Sequence, residues 1–127
     1  MKILLDTNFI LTCIKQKIDF DRIANEIVDE EIKWILPEEV QNELEKLSKR
    51  KGMRTIDKES AKLSLEFLKS LNPELIKLNN KNVDDGIVNY INSQKNKIIL
   101  ATLDKELKKR INSKILTIRT NRYLELF

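Results

Sequence analysis

Acidic residues that follow short apolar runs are the residues of this chain best placed to do chemistry. Asp6 ends the run 2–6 (KILLD), and Asp104 comes shortly after the run 97–101 (KIILA). Runs of this length and composition predict buried β-strands. Ligand sites in open α/β sheets gather beyond the carboxyl ends of the strands. If these two strands are neighbours, both carboxylates project into one crevice.

Two further acids are predicted to lie near this crevice. Glu43 falls on the helix predicted after the second strand, close to its buried face, and Asp84 starts the helix that precedes the strand 97–101. Their joint placement favours a functional site, although each acid also fits a structural interpretation. These interpretations are Asp6 and Asp104 as helix caps, Glu43 as an exposed helical glutamate, and Asp84 with Asp85 as first-turn acids.

The composition excludes several common kinds of catalytic and cofactor site. The 127 residues include no histidine, one cysteine (Cys13) and two widely separated glycines, Gly52 and Gly86. Histidine-dependent acid–base catalysis, zinc sites built on histidine or four cysteines, and glycine-rich phosphate loops are therefore excluded within this chain. Cys13 lies in an apolar stretch, which predicts a buried side chain. An enzyme built from this chain would have to rely on its carboxylates.

Four carboxylates in one crevice repel one another unless cations or protons offset their charge. Mg²⁺ and Mn²⁺ are hard cations that bind carboxylate oxygens and water and leave positions open for phosphate oxygens. The predicted chemistry is hydrolysis of a phosphodiester. One ion would lower the pKa of the attacking water, and a second would stabilise the leaving oxygen.

The rest of the pattern predicts the elements that would position these acids. Predicted strands alternate with predicted helices, which is typical of an α/β fold with a mostly parallel sheet. The length and the lack of linker-like segments predict one domain over residues 1–127. Further strands are predicted at 33–36, 75–78 and 115–118, and helices after Asp6, over 19–31, from Pro37 towards Gly52, from Asp57 to Asn72, from Asp84 and from Asp104 through 111.

Basic residues concentrate in two segments of a chain whose net charge is +4. Residues 46–56 contain five basic side chains and no acid, and residues 105–127 contain seven basic side chains against two acids. Charge alone is compatible with solvated helix faces or with nucleic-acid binding. No apolar stretch approaches the ~20 residues of a membrane-spanning helix, and the chain starts with a short strand. We therefore expect a cytoplasmic protein without a membrane partner.

The motifs, in their order along the chain, resemble those of PIN-domain ribonucleases. The matching segments are LLDTNFI (4–10), VQNELEKL (40–47), DDGIV (84–88) and ILATLDKELKKRI (99–111). The resemblance implies a Rossmann-like, three-layer α/β/α sandwich and a ribonuclease that depends on Mg²⁺ or Mn²⁺. It also implies a catalytic, metal-binding cluster of Asp6, Glu43, Asp84 and Asp104, with Asn8 and Thr102 as polar supports.

The doublet Asp84-Asp85 bears on which branch of the family the chain resembles. In the family's pattern the acid stands three residues before a buried aliphatic, which favours Asp84 and leaves Asp85 as the lesser metal candidate. The doublet, the string T-x-D-x-x-L-x-x-R-I at 102–111 and Arg119 are similar to the branch that processes ribosomal RNA. Toxins of toxin–antitoxin pairs usually show a single acid, an alanine-rich helix and a glycine before the fourth strand.

The resemblance also gives the basic segments a role, as a path for single-stranded or structured RNA towards the acids. A toxin-type ribonuclease and a catalytically silent RNA-binding or assembly module are the alternatives. The corresponding protein partners are an antitoxin or a processing complex, and because members of the family commonly dimerise, a homodimer is also expected. The expected RNA-binding residues are Lys49, Arg50, Lys51, Arg54, Lys108, Lys109, Arg110, Arg119 and Arg122.

Overall fold

The computed structural model describes residues 1–52, 54–119 and 123–127. Its strands are β1 (Lys2–Leu5), β2 (Lys33–Pro37), β3 (Glu74–Ile76), β4 (Ile99–Ala101), β5 (Ile115–Arg119) and β6 (Tyr123–Leu126). Its helices are α1 (Thr7–Lys15), α2 (Phe20–Ile27), α3 (Glu38–Lys49), α4 (Thr55–Leu71), α5 (Val83–Ser93) and α6 (Lys105–Arg110). None of these helices is long and apolar enough to cross a membrane.

The strands form one sheet in the order β3-β2-β1-β4-β5-β6. Neighbouring strands are parallel, except that β6 runs antiparallel to β5. The chain places β2 on one side of β1 and β4 on the other, so the strand order reverses at β1. A crevice opens at the carboxyl ends of the strands at such a reversal. Strands β1 and β4, which precede Asp6 and Asp104, are neighbours, so the condition for one shared crevice is met.

Helices cover both faces of the sheet and make the predicted three-layer α/β/α sandwich. Side chains alternate between the faces along each strand. Ile3 and Leu5 of β1 pack in a core with Phe9, Phe20 and other apolar residues of α1 to α4. Leu4 lies in a second core with residues of α5 and α6, such as Ile87 and Leu107. Cys13 is buried in the first core, as expected, and burial raises the pKa of its thiol to about 12.

Several element ends differ from the predicted ones because tertiary contacts extend or shorten the local pattern. Helix α2 ends at Ile27 rather than at residue 31, since Val28 is extended and buried. Helix α4 begins at Thr55, and Asp57 lies in its first turn, where it binds Lys15 and Arg54. Strand β6 was not predicted. It forms by pairing with β5, which buries Leu124.

Candidate active site

A pocket of about 240 Å³ opens at the carboxyl ends of β1 and β4. All four acids predicted to act together line this pocket, and we call it the acidic pocket. Asp85 does not line it. The lining residues are Asp6, Thr7, Asn8, Leu11, Glu43, Val83, Asp84 and Asp104.

Asp6 is the most buried of the four acids, with 6% of its surface exposed. Its Oδ1 accepts a hydrogen bond from the Thr7 N–H (2.9 Å), and its Oδ2 accepts one from the Thr102 hydroxyl (2.6 Å). Burial outweighs both hydrogen bonds and raises the pKa of Asp6 to about 6, with smaller contributions from the charges of Asp84 and Glu43. A bound cation would relieve both the burial cost and the repulsion.

Thr102 and Asn8 connect the loop after β4 to the start of α1. The Thr102 hydroxyl donates to Asp6 and accepts a hydrogen bond from the Asp104 N–H (3.1 Å). The side-chain oxygen of Asn8 accepts a hydrogen bond from the Leu103 N–H (3.1 Å). Since Thr102 is completely buried, these bonds fix the position of Asp104 relative to Asp6.

Glu43 reaches the pocket from α3 and is held by a residue that the sequence did not single out. Its Oε2 accepts a hydrogen bond from the Thr7 hydroxyl (3.1 Å). Thr7 is buried next to Asp6, so one short segment contacts two of the four acids. The sequence signal that could have identified Thr7 was its position between Asp6 and Asn8 in the D-T-N motif.

Asp104 and Asp6 also cap helices, as their structural interpretation predicted. The Oδ1 of Asp104 accepts hydrogen bonds from Glu106 N–H (2.9 Å) and Leu107 N–H (3.2 Å) at the start of α6. Asp6 caps α1 through its bond with Thr7. Both caps use Oδ1, and each carboxylate oxygen has two lone pairs, so Oδ2 can bind a further partner even in Asp6, where it already accepts a hydrogen bond from Thr102. Capping and cation binding are therefore compatible at both positions.

The acidic doublet at the start of α5 has two different environments. Asp84 lines the acidic pocket. Asp85 forms an ion pair with Arg110 of α6, with 2.7 Å between Oδ1 and Nη2. The cap of α5 is Asn82, whose side chain accepts a hydrogen bond from the Asp85 N–H (3.0 Å).

Glu39 holds the loop that leads into α5 through hydrogen bonds. These bonds were not among the sequence-based predictions. Both of its carboxylate oxygens lie 3.1 Å from the Leu78 N, and Oε2 accepts a third hydrogen bond from the Asn79 N–H (3.0 Å). Asn79 adopts a left-handed conformation with φ of 55°. Burial opposes the charge of Glu39, yet these N–H donors hold its pKa below the ordinary value. Glu39 thereby ties α3 to the segment that carries Asp84.

The pocket residues offer the donor atoms that a hard divalent cation prefers, but their side chains do not converge on one position. Carboxylate oxygens are the ligands that Mg²⁺ and Mn²⁺ prefer. Among the described residues, however, no three acidic or cysteine side chains stand close enough to hold one ion together. Glu43 is exposed, and Asp84 and Asp104 are half-buried. Cation binding at this pocket requires rotation of these side chains.

The expected RNA-binding residues differ in whether their side chains already bind other groups of the protein. Arg54 pairs with Asp57, whereas no ion pair is described for Lys49, Arg50 or Lys51 within residues 1–52, 54–119 and 123–127. In the second segment each of the four expected RNA-binding cations that the structure describes contacts a partner, and Arg122 lies outside the described residues. These contacts are Lys108 with Thr117, Lys109 with Glu106, Arg110 with Asp85 and Arg119 with Glu125.

Comparisons with known proteins agree with this fold. A family model described as a PIN like domain matches residues 3–122. Ribonuclease VapC4 of Methanocaldococcus jannaschii is 31% identical over 129 residues, which cover 99% of this chain and 96% of the relative. The solved PIN domain endonuclease Utp24 is 28% identical with a TM-score of 0.79, over 98% of this chain and 90% of that one.

A second solved structure is similar in fold alone. It is VapBC2 from Rickettsia felis, bound to a DNA fragment from the promoter of the pair. The sequence identity is 17% and the TM-score 0.56, over 92% of this chain and 98% of that one.

Proposed function

The chain belongs to the PIN-like domain family, and on that basis we propose that it is an endoribonuclease that depends on a divalent cation. The observation that carries the proposal is the convergence of Asp6, Glu43, Asp84 and Asp104 on one pocket in a chain without histidine. The names of the two similar proteins, a ribonuclease and an endonuclease, support the same reaction. The reaction adds water across a P–O bond of the RNA backbone.

In this proposal the four carboxylates hold Mg²⁺ or Mn²⁺, and the polar residues around them keep the donors in place. The cation, when bound, supplies an acidified water and offsets the negative charge of the phosphate. Thr102 and Thr7 orient the two oxygens of Asp6, and Thr7 also orients Glu43. The raised pKa of Asp6 supports a cation site, because the buried carboxylate carries charge that no described cation offsets.

The proposal is tested by cleavage of a 5′-labelled single-stranded RNA by the purified chain in the presence of Mn²⁺. We expect cleavage with Mn²⁺, no cleavage with excess EDTA, and none by Asp6→Asn. The matched control is Asp19→Asn, which changes an exposed cap of α2 outside the acidic pocket. Retained cleavage in Asp6→Asn or in EDTA would show that the proposed chemistry is wrong.

Two cellular roles are compatible with this reaction. The doublet and the string at 102–111 favour processing of ribosomal or other RNA, whereas the 31% identity to ribonuclease VapC4 favours a toxin paired with an antitoxin. Growth arrest on expression, or copurification of a small protein encoded next to the gene, would favour the toxin. The expected homodimer and cytoplasmic location stay predictions.

A catalytically silent RNA-binding or assembly module is the competing function. It is favoured by one observation, that no three acids among the described residues gather around one point. Calorimetric titration with Mn²⁺ distinguishes the two functions. Binding that is lost in Asp6→Asn supports the enzyme, and absence of binding to the wild-type chain supports the module.

A further inference from the structure

A second hollow of about 330 Å³ adjoins the acidic pocket along α3. Its lining residues are Glu43, Lys46, Leu47 and Arg50, and we call it the α3 cleft. Glu43 lines both hollows. The shared Glu43 therefore places the two basic side chains of the α3 cleft next to the acidic pocket.

Helix geometry explains why these side chains share one surface. Positions three, four and seven residues beyond Glu43 return to the same helix face, which places Lys46, Leu47 and Arg50 in one stripe. Lys49 is six residues beyond Glu43, so it projects roughly 120° from Glu43 and about 60° from Lys46, at the margin of that stripe. The two basic residues thus face the cleft, and the neighbouring Lys49 does not line it.

The charges of the α3 cleft are available to an external anion. Neither Lys46 nor Arg50 has an ion pair among the described residues, and both are exposed. By contrast, Lys109, Arg110 and Arg119 of the second basic segment pair with acids of the protein itself. An incoming polyanion therefore meets uncompensated positive charge on the α3 side of the acidic pocket.

We propose that the α3 cleft is a phosphate subsite that binds the RNA backbone next to the bond held at the acids. The inference rests on the proposed function, and it defines the direction in which the strand leaves the acidic pocket. The four carboxylates repel the backbone phosphates beside the scissile one. The RNA strand therefore needs basic side chains within about two helix turns of Glu43, or roughly 10 Å. Arg50 offers a planar fork for phosphate oxygens, and Lys46 a mobile point charge.

The test is binding of a fluorescein-labelled ten-nucleotide single-stranded RNA, measured by fluorescence anisotropy in EDTA so that no cleavage occurs. We expect Lys46→Ala and Arg50→Ala each to raise the Kd about fivefold or more at low salt. Each variant should also flatten the dependence of log K on log salt by about 0.7. Lys33→Ala is the matched control, with the same charge change at the exposed amino end of β2, away from the acidic pocket, and it should change Kd less than twofold.

Other results overturn the subsite. Equal effects of Lys46→Ala and Lys33→Ala would show a general charge effect rather than a cleft. Unchanged RNA binding in the double variant Lys46→Ala/Arg50→Ala would exclude the subsite, even if that variant no longer bound an acidic protein partner. The proposed function is tested separately, because wild-type cleavage with Mn²⁺ can succeed while the subsite fails, and RNA binding in EDTA can support the subsite while cleavage fails.

Discussion

The guanidinium of Arg110 lies 2.7 Å from the carboxylate of Asp85, whereas the adjacent Asp84 lines the acidic pocket. The two acids of the doublet therefore have different partners. Asp85 joins the start of α5 to the end of α6, and this ion pair helps to fix the turn that carries Asp84. The chemical contribution is expected from Asp84 and a positioning contribution from Asp85.

Substitution of each acid of the doublet tests this division. Asp84→Asn removes a proposed cation ligand, so we expect kcat for RNA cleavage to fall at least about a hundredfold, as when an electrostatic group of an active site is removed. Asp85→Asn removes one half of an exposed ion pair worth about 0.5 kcal/mol, so kcat should fall only a few-fold. Steady-state cleavage assays with Mn²⁺ measure both. A larger loss in Asp85→Asn than in Asp84→Asn would reverse the assignment.

The raised pKa of Asp6 predicts how the stability of the cation-free protein changes with pH. Because the pKa in the folded state, about 6, exceeds the ordinary value of 3.8, the carboxyl group favours the folded state most at low pH. This contribution is lost as the pH rises through 6, and it amounts to at most about 3 kcal/mol. Asp6→Asn carries no titrating group at this position, so its stability relative to wild type should rise between pH 4 and pH 8.

Urea denaturation in EDTA at the two pH values measures this change. The control is Asp19→Asn, an exposed helix cap whose substitution leaves the acidic pocket unaltered. Its stability relative to wild type should change little between pH 4 and pH 8. If the stability of Asp6→Asn relative to wild type changes with pH no more than that of Asp19→Asn, the burial of Asp6 does not govern the charge of the pocket.

Glu39→Gln is expected to loosen the loop before α5. The amide keeps one acceptor oxygen but turns an NH₂ group towards the Leu78 and Asn79 donors, at a cost of about 1 kcal/mol. Hydrogen exchange at the Leu78 and Asn79 amides should quicken. Because the pKa of Glu39 is held below its ordinary value of 4.5, the stabilisation should be present at neutral pH and be lost as the pH falls below that ordinary value and through the lowered pKa.

Glu38→Gln provides the control for this variant. Glu38 and Glu39 both lie in the first turn of α3, so both substitutions remove a similar helix-dipole contribution. The loop bonds belong to Glu39. Equal exchange rates in the two variants would show that Glu39 does not hold the loop.

Gly86→Ala should destabilise the protein, although alanine is ordinarily the better helix residue by about 1 kcal/mol. A Cβ at this position would lie 2.9 Å from the Leu78 Cβ and 3.1 Å from the Asn80 Cβ. Overcrowding of this kind typically costs about 1–3 kcal/mol. Thermal denaturation gives the sign directly, and a variant more stable than wild type would contradict the tight packing of α5 on this loop.

The sequence was sufficient for those features that depend on local patterns. Asp6 follows its apolar strand directly and Asp104 comes three residues after the end of β4, so their place at the carboxyl edge of a parallel sheet could be predicted from the strand pattern alone. Glu43 and Asp84 were placed near the crevice by their positions on predicted helices, and the family resemblance implied that all four acids form one metal-binding cluster. Asp84 was preferred to Asp85 because of its spacing from Ile87, and the structure places Asp84 at the pocket and Asp85 against Arg110.

Contacts between distant segments were not predictable in this way. Glu39 bonds the Leu78 N–H from 39 residues away, and no periodicity marks such a pair. Thr7 donates its N–H to Asp6 and its hydroxyl to Glu43, and the second bond forms only after α1 and α3 have packed together. The charge runs likewise did not reveal that three cations of the second segment pair internally while Lys46 and Arg50 share a cleft with Glu43.

A crystal structure of the full chain with Mn²⁺, phased on the anomalous signal of the ion, tests the central claim most directly. We predict an anomalous peak in the acidic pocket, with oxygens of at least two of Asp6, Asp84 and Asp104 at about 2.1 Å, after rotation of the half-buried Asp84 and Asp104 side chains. A pocket without a peak at a saturating Mn²⁺ concentration, or a peak bound only to other residues, would contradict the proposal that these acids hold the catalytic cation.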